Sequence, residues 1–159
     1  MKAKIKQASN KHKKVRHHKM DGIGKKRSLG QYFTKREIWL KDHIKNFILQ
    51  SKCKIAYDPF AGNGDILQAV SDLGFQKTIG LDIDRDLGWN YNDSLINIPH
   101  VDNAIIITNP PYLSNYSAKR RKIHDNVQKY FDKTEYDDIY LLALEKMTKA
   151  QDYVVAIVP

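Results

Sequence analysis

The sequence predicts an α/β fold built on a mainly parallel sheet, and two observations predict it. Short apolar stretches typical of buried strands alternate along the chain with segments of helical periodicity. This alternation favours a parallel sheet that helices cover on both faces. The glycine-rich and polar motifs each follow a strand or a short extended segment. Because ligands bind outside the carboxyl ends of such strands, the second observation also predicts a ligand site.

The predicted strands are four apolar segments, residues 54–60, 78–84, 103–112 and 153–159. The first ends in a glycine-containing turn, and the third runs into a loop fixed by two prolines. A compact stretch, residues 85–95, lies between the second and third strands. It is too short to contain the helix that usually links such strands, so we expect an abbreviated connection there.

Apolar residues at helical spacing predict helices over residues 38–49 and 65–74, and residues 137–150 are predicted as a third helix. The first helix would bury Leu40, Ile44, Phe47 and Ile48, and the second Ile66, Leu67, Val70 and Leu73. Thr34 and Glu37 have the spacing of a capping box before the first helix. Gly74 is the expected C-cap of the second. Asp137 and Asp138 are expected in the first turn of the third.

Composition limits the class of protein. The chain has 159 residues, 42% of them hydrophobic, which is sufficient for one domain with a buried hydrophobic core. A mean hydropathy of -0.58 and the absence of a long apolar run argue against a membrane protein or a secretory leader. Cys53 is the only cysteine, so no intramolecular disulfide forms and a cytoplasmic location is expected. The six histidines lack ligand spacing, so no metal site is predicted.

The net charge of +9 lies almost entirely at the N-terminus. Residues 1–28 contain 11 Lys and Arg and one acid, Asp21, which leaves the remainder near neutral. We therefore expect residues 1–27 to form a basic, disordered tail before a domain spanning residues 28–159. Such a tail either adds nonspecific phosphate contacts or is a solvated leader, and the sequence favours neither.

The segment DPFAGNGD (58–65) lies between a predicted strand and a predicted helix. Gly62 and Gly64 remove side chains where a ligand can approach the backbone, near a helix N-terminus. The Gly-Lys-Ser/Thr of a P-loop is absent, as is the third glycine of the dinucleotide fingerprint. Asp82 ends the second strand, where a carboxylate can accept from two ribose hydroxyls. Asp93 can accept from an adenine amino group, or it is an ordinary turn residue.

The tetrapeptide Asn109-Pro110-Pro111-Tyr112 is the most specific feature. Two prolines fix two φ angles and remove two amide donors, which makes a rigid loop. The Asn109 side-chain oxygen and the Pro110 carbonyl can accept both N–H bonds of an exocyclic amino group. Its lone pair would then point at a methyl donor, so that orientation and fixed dipoles provide catalysis. Tyr112 can stack on an extruded base.

Together these motifs resemble those of the N6-adenine DNA methyltransferases of restriction–modification systems. The matching segments are GQYFT (30–34), DPFAGNG (58–64), LDID (81–84), ND (92–93), TNPPY (108–112), DDIYLLALEK (137–146) and VVAIVP (154–159). The order is that of the subgroup in which the GQYFT-type motif precedes the cofactor motif. The resemblance implies a Rossmann-like fold that uses S-adenosylmethionine, with double-stranded DNA as substrate and a cognate restriction endonuclease as a candidate partner.

The resemblance also implies residue roles. The methionine end of the cofactor would contact Tyr32, Phe33 and Thr34, while Asp82 would hold its ribose and Asp93 its adenine amino group. Other implied cofactor residues are Asp58, Phe60, Gly62, Gly64 and Asn109, and the implied catalytic residues are Asn109, Pro110, Pro111 and Tyr112.

Two features differ from the family pattern. Residues 113–134 are longer than expected, and they contain Lys119, Arg120, Arg121 and Lys122 near Tyr116. They suggest either a DNA-facing lid or a solvated charge run. The sheet is expected to stop after the fifth strand, and no segment corresponds to a target-recognition region. The sequence therefore predicts an incomplete methyltransferase domain that does not methylate a specific site by itself.

Several alternatives remain. Glutamine methyltransferases of release factors share NPPY, although they usually carry a helical N-terminal domain. RNA adenine dimethylases share a GQ-x-F start but have a different catalytic loop, and cytosine-N4 enzymes typically have Ser at the position of Asn109. Cytosine C5 chemistry is rejected, because Cys53 lies between two lysines rather than after a proline. A truncated, noncatalytic remnant that binds nucleic acid is the remaining alternative, and cofactor affinity would distinguish it.

Overall fold

Five strands form one all-parallel sheet in the order β3-β2-β1-β4-β5. The computed structural model describes residues 36–132 and 134–159. The strands are β1 (Ile55–Asp58), β2 (Lys77–Asp82), β3 (Asn90–Tyr91), β4 (Ala104–Thr108) and β5 (Val154–Ala156). The prediction of an α/β fold with a parallel sheet is confirmed, and the architecture is compatible with a Rossmann-like fold.

Six α-helices and one 3₁₀-helix (Arg85–Leu87) accompany the sheet in the described residues. The α-helices are α1 (Arg36–Trp39), α2 (Asp42–Gln50), α3 (Asp65–Ala69), α4 (Asn115–Arg120), α5 (His124–Phe131) and α6 (Ile139–Ala150). None of these helices has the length and apolar character needed to cross a membrane. Predictions for the basic tail, for the 30–34 motif and for the Thr34–Glu37 capping box depend on residues outside the described ranges.

The predicted helix limits need three corrections. The single helix expected over residues 38–49 is two helices separated at Leu40 and Lys41, and Phe47 is 42% exposed beside Tyr153 instead of buried. The helix expected to reach Gly74 ends at Ala69. Asp138 is the N-cap of α6 rather than a first-turn residue, because its side chain accepts the Tyr140 amide.

The strand β4 is buried on both faces, as a central parallel strand must be. Ile105 and Ile107 pack into a cluster with residues of α2 and α3, whereas Ala104 and Ile106 pack into a second cluster with residues of α6. The sheet is therefore the middle of three layers.

The switch point of the sheet lies between β1 and β4. From β1 the chain builds β2 and β3 on one side, and it then returns to build β4 and β5 on the other. In the register, Tyr57 lies beside Ile106, and Asp58 beside Gly80. The polar residues that end the strands, Asp58, Asp82 and Thr108, consequently lie along one edge of the sheet.

Residues 113–134, the segment that is longer than expected, contain α4 and α5 and contribute to a small hydrophobic core. Val127, Tyr130 and Phe131 of α5 are buried in a cluster with Leu113 and with residues of α6. The segment is therefore packed against the main domain at the carboxyl end of β4.

Trp89 occupies the space between the glycine loop and β2. Its indole Nε1 donates to the Gly62 carbonyl oxygen over 2.8 Å. A Cβ atom added at Gly64 would lie 2.9 Å from Cζ2 of the ring, and one at Gly80 would lie 2.4 Å from Cε3. Both glycines therefore make room for the indole.

We expect Gly80→Ala to lower the free energy of unfolding by about 1–3 kcal/mol, because three ring atoms of Trp89 would lie within 3.0 Å of the new methyl group. Urea unfolding measures the effect. In a Trp89→Ala background the same substitution should cost much less, since the clashing ring is gone. Equal costs in the two backgrounds would show that the indole is not the constraint.

Candidate functional site

A buried hydrogen bond joins the carboxyl ends of β1 and β4. The Thr108 hydroxyl donates to Asp58 Oδ1 over 2.5 Å, and both residues have no exposed surface. The same oxygen accepts the Phe60 amide over 3.0 Å, which begins the turn into the glycine loop. Asp58 therefore fixes the loop after β1 and the end of β4 together.

Burial dominates the electrostatics of this carboxyl. It raises the pKa of Asp58 to about 7, although the hydrogen bonds from Thr108 and Phe60 act in the opposite direction and nearby Asp82 adds a smaller upward effect. Its other oxygen, Oδ2, is buried without a hydrogen-bond partner among the described residues. Asp58 thus holds a proton over part of the neutral range.

Two backbone amides hold the carboxylate of Asp82. Oδ2 accepts from Gly62, and Oδ1 accepts from Asp84, each over 2.8 Å. Only 4% of the Asp82 surface is exposed. The contact with Gly62 connects the end of β2 to the loop after β1, so one carboxylate orients two of the predicted cofactor elements.

The two glycines of the loop have different surroundings. Both have positive φ angles, +54° at Gly62 and +84° at Gly64, which favour glycine. A Cβ at Gly62 would meet only the Phe60 carbonyl oxygen, at 4.0 Å. The space beside Gly62 therefore suits the predicted approach of a ligand, whereas the space beside Gly64 is taken by Trp89.

The prolyl loop after β4 positions Asn109 beside Tyr112. The Tyr112 hydroxyl is within hydrogen-bond reach of Asn109 Oδ1 and of the Ile157 carbonyl oxygen. Burial raises the pKa of Tyr112 to about 12, so the hydroxyl remains a donor at neutral pH. Its ring packs edge-on against Tyr140, with centroids 6.2 Å apart. These contacts hold the Asn109 amide in place through its side-chain oxygen.

Asp93 is paired with α5. Its Oδ2 accepts from Lys129 Nζ over 2.7 Å and from the Tyr130 hydroxyl over 3.0 Å. The hydrogen bond to Asp93 raises the pKa of Lys129 to about 12. The predicted acceptor for an adenine amino group therefore already has two donors, and its remaining oxygen, Oδ1, is the one left for a ligand.

One cavity of about 180 Å³ opens at this edge of the sheet. Its lining includes five of the predicted residues, which come from the ends of three strands and the loop after β3: Phe60, Asp82, Asp93, Asn109 and Pro111. Asn126, Val127 and Tyr130 of α5 form part of the wall. The cavity is smaller than the ~300–1,000 Å³ typical of small-molecule sites, so it suits one part of a larger ligand.

The other described candidates lie around this cavity rather than in its lining. Asp58 and Pro110 are fully buried, Gly62 and Gly64 are in the loop after β1, and Tyr112 follows the prolines. Tyr32, Phe33 and Thr34 lie outside the described residues. Sequence reasoning gave no role to Thr108, Trp89, Lys129 or Tyr130. Thr108 lies within the TNPPY motif, but no local sequence pattern indicates a role for Trp89, Lys129 or Tyr130.

Comparison with known proteins adds no family assignment: no known family model matches the chain, and no curated protein is significantly similar to it.

Asp58 should give the protein a measurable pH dependence. Its folded pKa of about 7 lies above the ordinary 3.8, so between these values the folded chain binds more protons than the unfolded chain. Stability relative to Asp58→Asn should therefore fall as pH rises from about 4 to 7, by as much as about 1.4 kcal/mol per pH unit. Urea unfolding of both proteins across this range tests it. A constant difference, or an NMR titration of Asp58 near 4, would contradict it.

Proposed function

We propose that this chain is an S-adenosylmethionine-dependent methyltransferase whose target is the N6 amino group of adenine in DNA. The observation that carries the proposal is the single cavity lined by Phe60, Asp82, Asp93, Asn109 and Pro111. Residues chosen from separate motifs, as far apart as 60 and 111 in the chain, meet there. An ordinary Asn-Pro turn and scattered turn aspartates would have no reason to converge.

The residues at this edge fit the adenosyl part of the donor. Asp82 and Asp93 bring two carboxylates to one cavity, where they can accept hydrogen bonds from ribose hydroxyls and from an amino group. Phe60, Ile83 and Leu95 supply apolar surface for a planar base. The open space beside Gly62 allows close approach to the backbone. Residues 32–34 are the proposed contacts for the methionine end.

When bound, S-adenosylmethionine supplies an electrophilic methyl group on its sulfonium sulfur. The protein's task is to orient the acceptor nitrogen, because the lone pair of an adenine amino group is delocalised into the ring. Asn109 Oδ1 can accept one N–H bond, and the Pro110 carbonyl oxygen is proposed to accept the other. Tyr112 holds the Asn109 amide in place through its hydroxyl. Fixed dipoles and orientation replace a strong base in this scheme.

The choice of DNA adenine over the alternatives depends on the sequence motifs, since the cavity is compatible with other amino acceptors. A glutamine amide presents the same delocalised nitrogen, and an RNA adenine the same ring. Asn109 favours an amino-group acceptor in general, and the order of the motifs favours DNA adenine. A cytoplasmic location and a restriction endonuclease partner are parts of the same proposal.

Removal of the Asp82 carboxylate should weaken binding of S-adenosylmethionine. We expect Asp82→Ala to cost about 1.5–3 kcal/mol of binding free energy, the usual range for hydrogen bonds to a charged group. Calorimetric titration measures it. Asp86→Ala, an exposed carboxylate of the neighbouring 3₁₀-helix, should bind as the wild type does. Because Asp82 also holds two amides, unfolding curves must first show that the variant folds. Unchanged affinity in a folded variant would refute the ribose role.

Asn109→Ala should reduce methyl transfer to adenine in DNA by about 10²–10³-fold, comparable to the loss of one preorganised polar group at other active sites. Cofactor affinity should change little. The assay uses labelled donor, with N6-methyladenine identified in the digested DNA. Asn97→Ala is the matched control, an exposed asparagine outside the cavity lining. Methylation at the wild-type rate by Asn109→Ala would exclude this mechanism.

A further inference from the structure

The end of α4 and the turn that follows it are strongly basic and exposed. Residues 109–124 contain four cations and no acid. All four, which we call the basic turn, are consecutive and solvent-exposed: Lys119, Arg120, Arg121 and Lys122. In the described parts of the chain, Lys119, Arg120 and Lys122 form no salt bridge. The charges of Lys119, Arg120 and Lys122 are therefore not neutralised by a neighbouring acid among the described residues.

An aromatic ring accompanies these charges. Tyr116 is 73% exposed, the highest value among the large hydrophobic side chains of the described residues. The guanidinium carbon of Arg120 lies 5.9 Å from the centre of its ring. An exposed ring beside a guanidinium offers two flat surfaces on which a base can stack, and the adjacent cations suit phosphates. A surface that served solubility alone would have no need of the exposed ring.

The local packing holds this surface in a fixed place. Ser114 caps α4 by accepting the Ser117 amide over 3.1 Å, and the Asn115 amide donates to the Asp137 carbonyl oxygen at the start of α6. Ala118 is fully buried, and its carbonyl accepts the Ile123 amide over 3.1 Å, which closes the basic turn. The cations are thus presented by an anchored helix and turn.

The same segment is continuous with the proposed active site. α4 begins three residues after Tyr112, and Leu113, between them, lines the cavity. A nucleic acid strand with its target base at Asn109 would have its neighbouring phosphates and bases near this part of the surface.

We propose that Tyr116 and the basic turn are a nucleic-acid-binding surface that contacts the phosphates and an adjacent base of the strand whose target adenine is held at Asn109. This inference rests on the proposed function, which identifies the bound nucleic acid strand as the one that contains the target adenine. The cations supply sequence-independent attraction, and Tyr116 supplies stacking.

The test compares two triple variants of the full chain. One is Lys119→Gln/Arg120→Gln/Lys122→Gln. The matched control is Lys52→Gln/Lys54→Gln/Lys77→Gln, which removes three exposed charges at the amino ends of β1 and β2, the opposite edge of the sheet. Each set contains one lysine with a positive φ angle, Lys122 or Lys52, so any backbone effect is matched. Fluorescence anisotropy with a short DNA duplex, at a series of salt concentrations and without methyl donor, gives the affinities.

The basic-turn variant should lose about 2.7 from the slope of log affinity against log salt, because each of three phosphate contacts contributes about 0.9. The control should retain the wild-type slope. Equal losses in both variants would mean that the position of the charges does not matter. No loss in either variant would mean that the basic turn makes no phosphate contacts. Either result would overturn the proposal. Thermal unfolding of the two variants verifies that both are folded.

Tyr116 is tested separately on a single-stranded oligonucleotide. Tyr116→Ala should weaken binding by about fivefold or more, as stacking on an aromatic side chain predicts, whereas Tyr116→Phe should bind as the wild type does. Unchanged binding by Tyr116→Ala would remove the stacking role. These measurements need no methyl transfer. A basic turn that binds DNA in a protein without methyltransferase activity would mean that only the proposed function fails. Methylation that depends on Asn109, with unchanged salt slopes, would mean that only this surface fails.

Discussion

The buried hydrogen bond from Thr108 to Asp58 joins the two strands at the switch point, and the positions of both polar loops depend on it. The same Asp58 oxygen orders the first turn of the glycine loop through Phe60, and Thr108 immediately precedes Asn109. Burial of a carboxyl carries a desolvation penalty, which appears here as a pKa of about 7. The presence of such a group at the end of β1 is easier to understand if it positions the loops than if it only stabilises the fold.

Two further contacts make the glycine loop rigid without filling the cavity. Asp82 accepts the Gly62 amide from the side of β2, and Trp89 donates to the Gly62 carbonyl oxygen. Both backbone polar groups of Gly62 are therefore satisfied by residues that follow β2 or end it. Because Trp89 fills the space beside Gly64 and Gly80, the remaining approach to the loop is beside Gly62. A preformed loop of this kind reduces the ordering that a ligand must impose on binding.

The sequence predicted the sheet well because strand β4 and its neighbours are apolar runs that only a doubly covered parallel sheet can bury. It also predicted which strand ends carry the polar residues, since these follow from position along each strand. It did not predict β3, whose two residues are paired only through tertiary context. Nor did it predict that α5 would pack beside Asp93, because a contact between residues 93 and 129 depends on long-range folding and leaves no local pattern.

The distribution of charge at this edge of the sheet makes a carboxylate-rich cavity compatible with the proposed polyanionic substrate. Asp82 and Asp93 suit the hydroxyl and amino donors proposed for the cofactor, but they would repel the phosphates of a strand brought close to the cavity. Lys129 offsets one of these charges directly at Asp93. The cations at residues 119–122 lie at the exposed end of α4 and in the turn after it, where they could attract the backbone of a strand while its neutral base is held at Asn109. This separation of the two signs over α4 and α5 suits the proposed nucleic acid substrate, whereas a site for a small amide substrate would not need it.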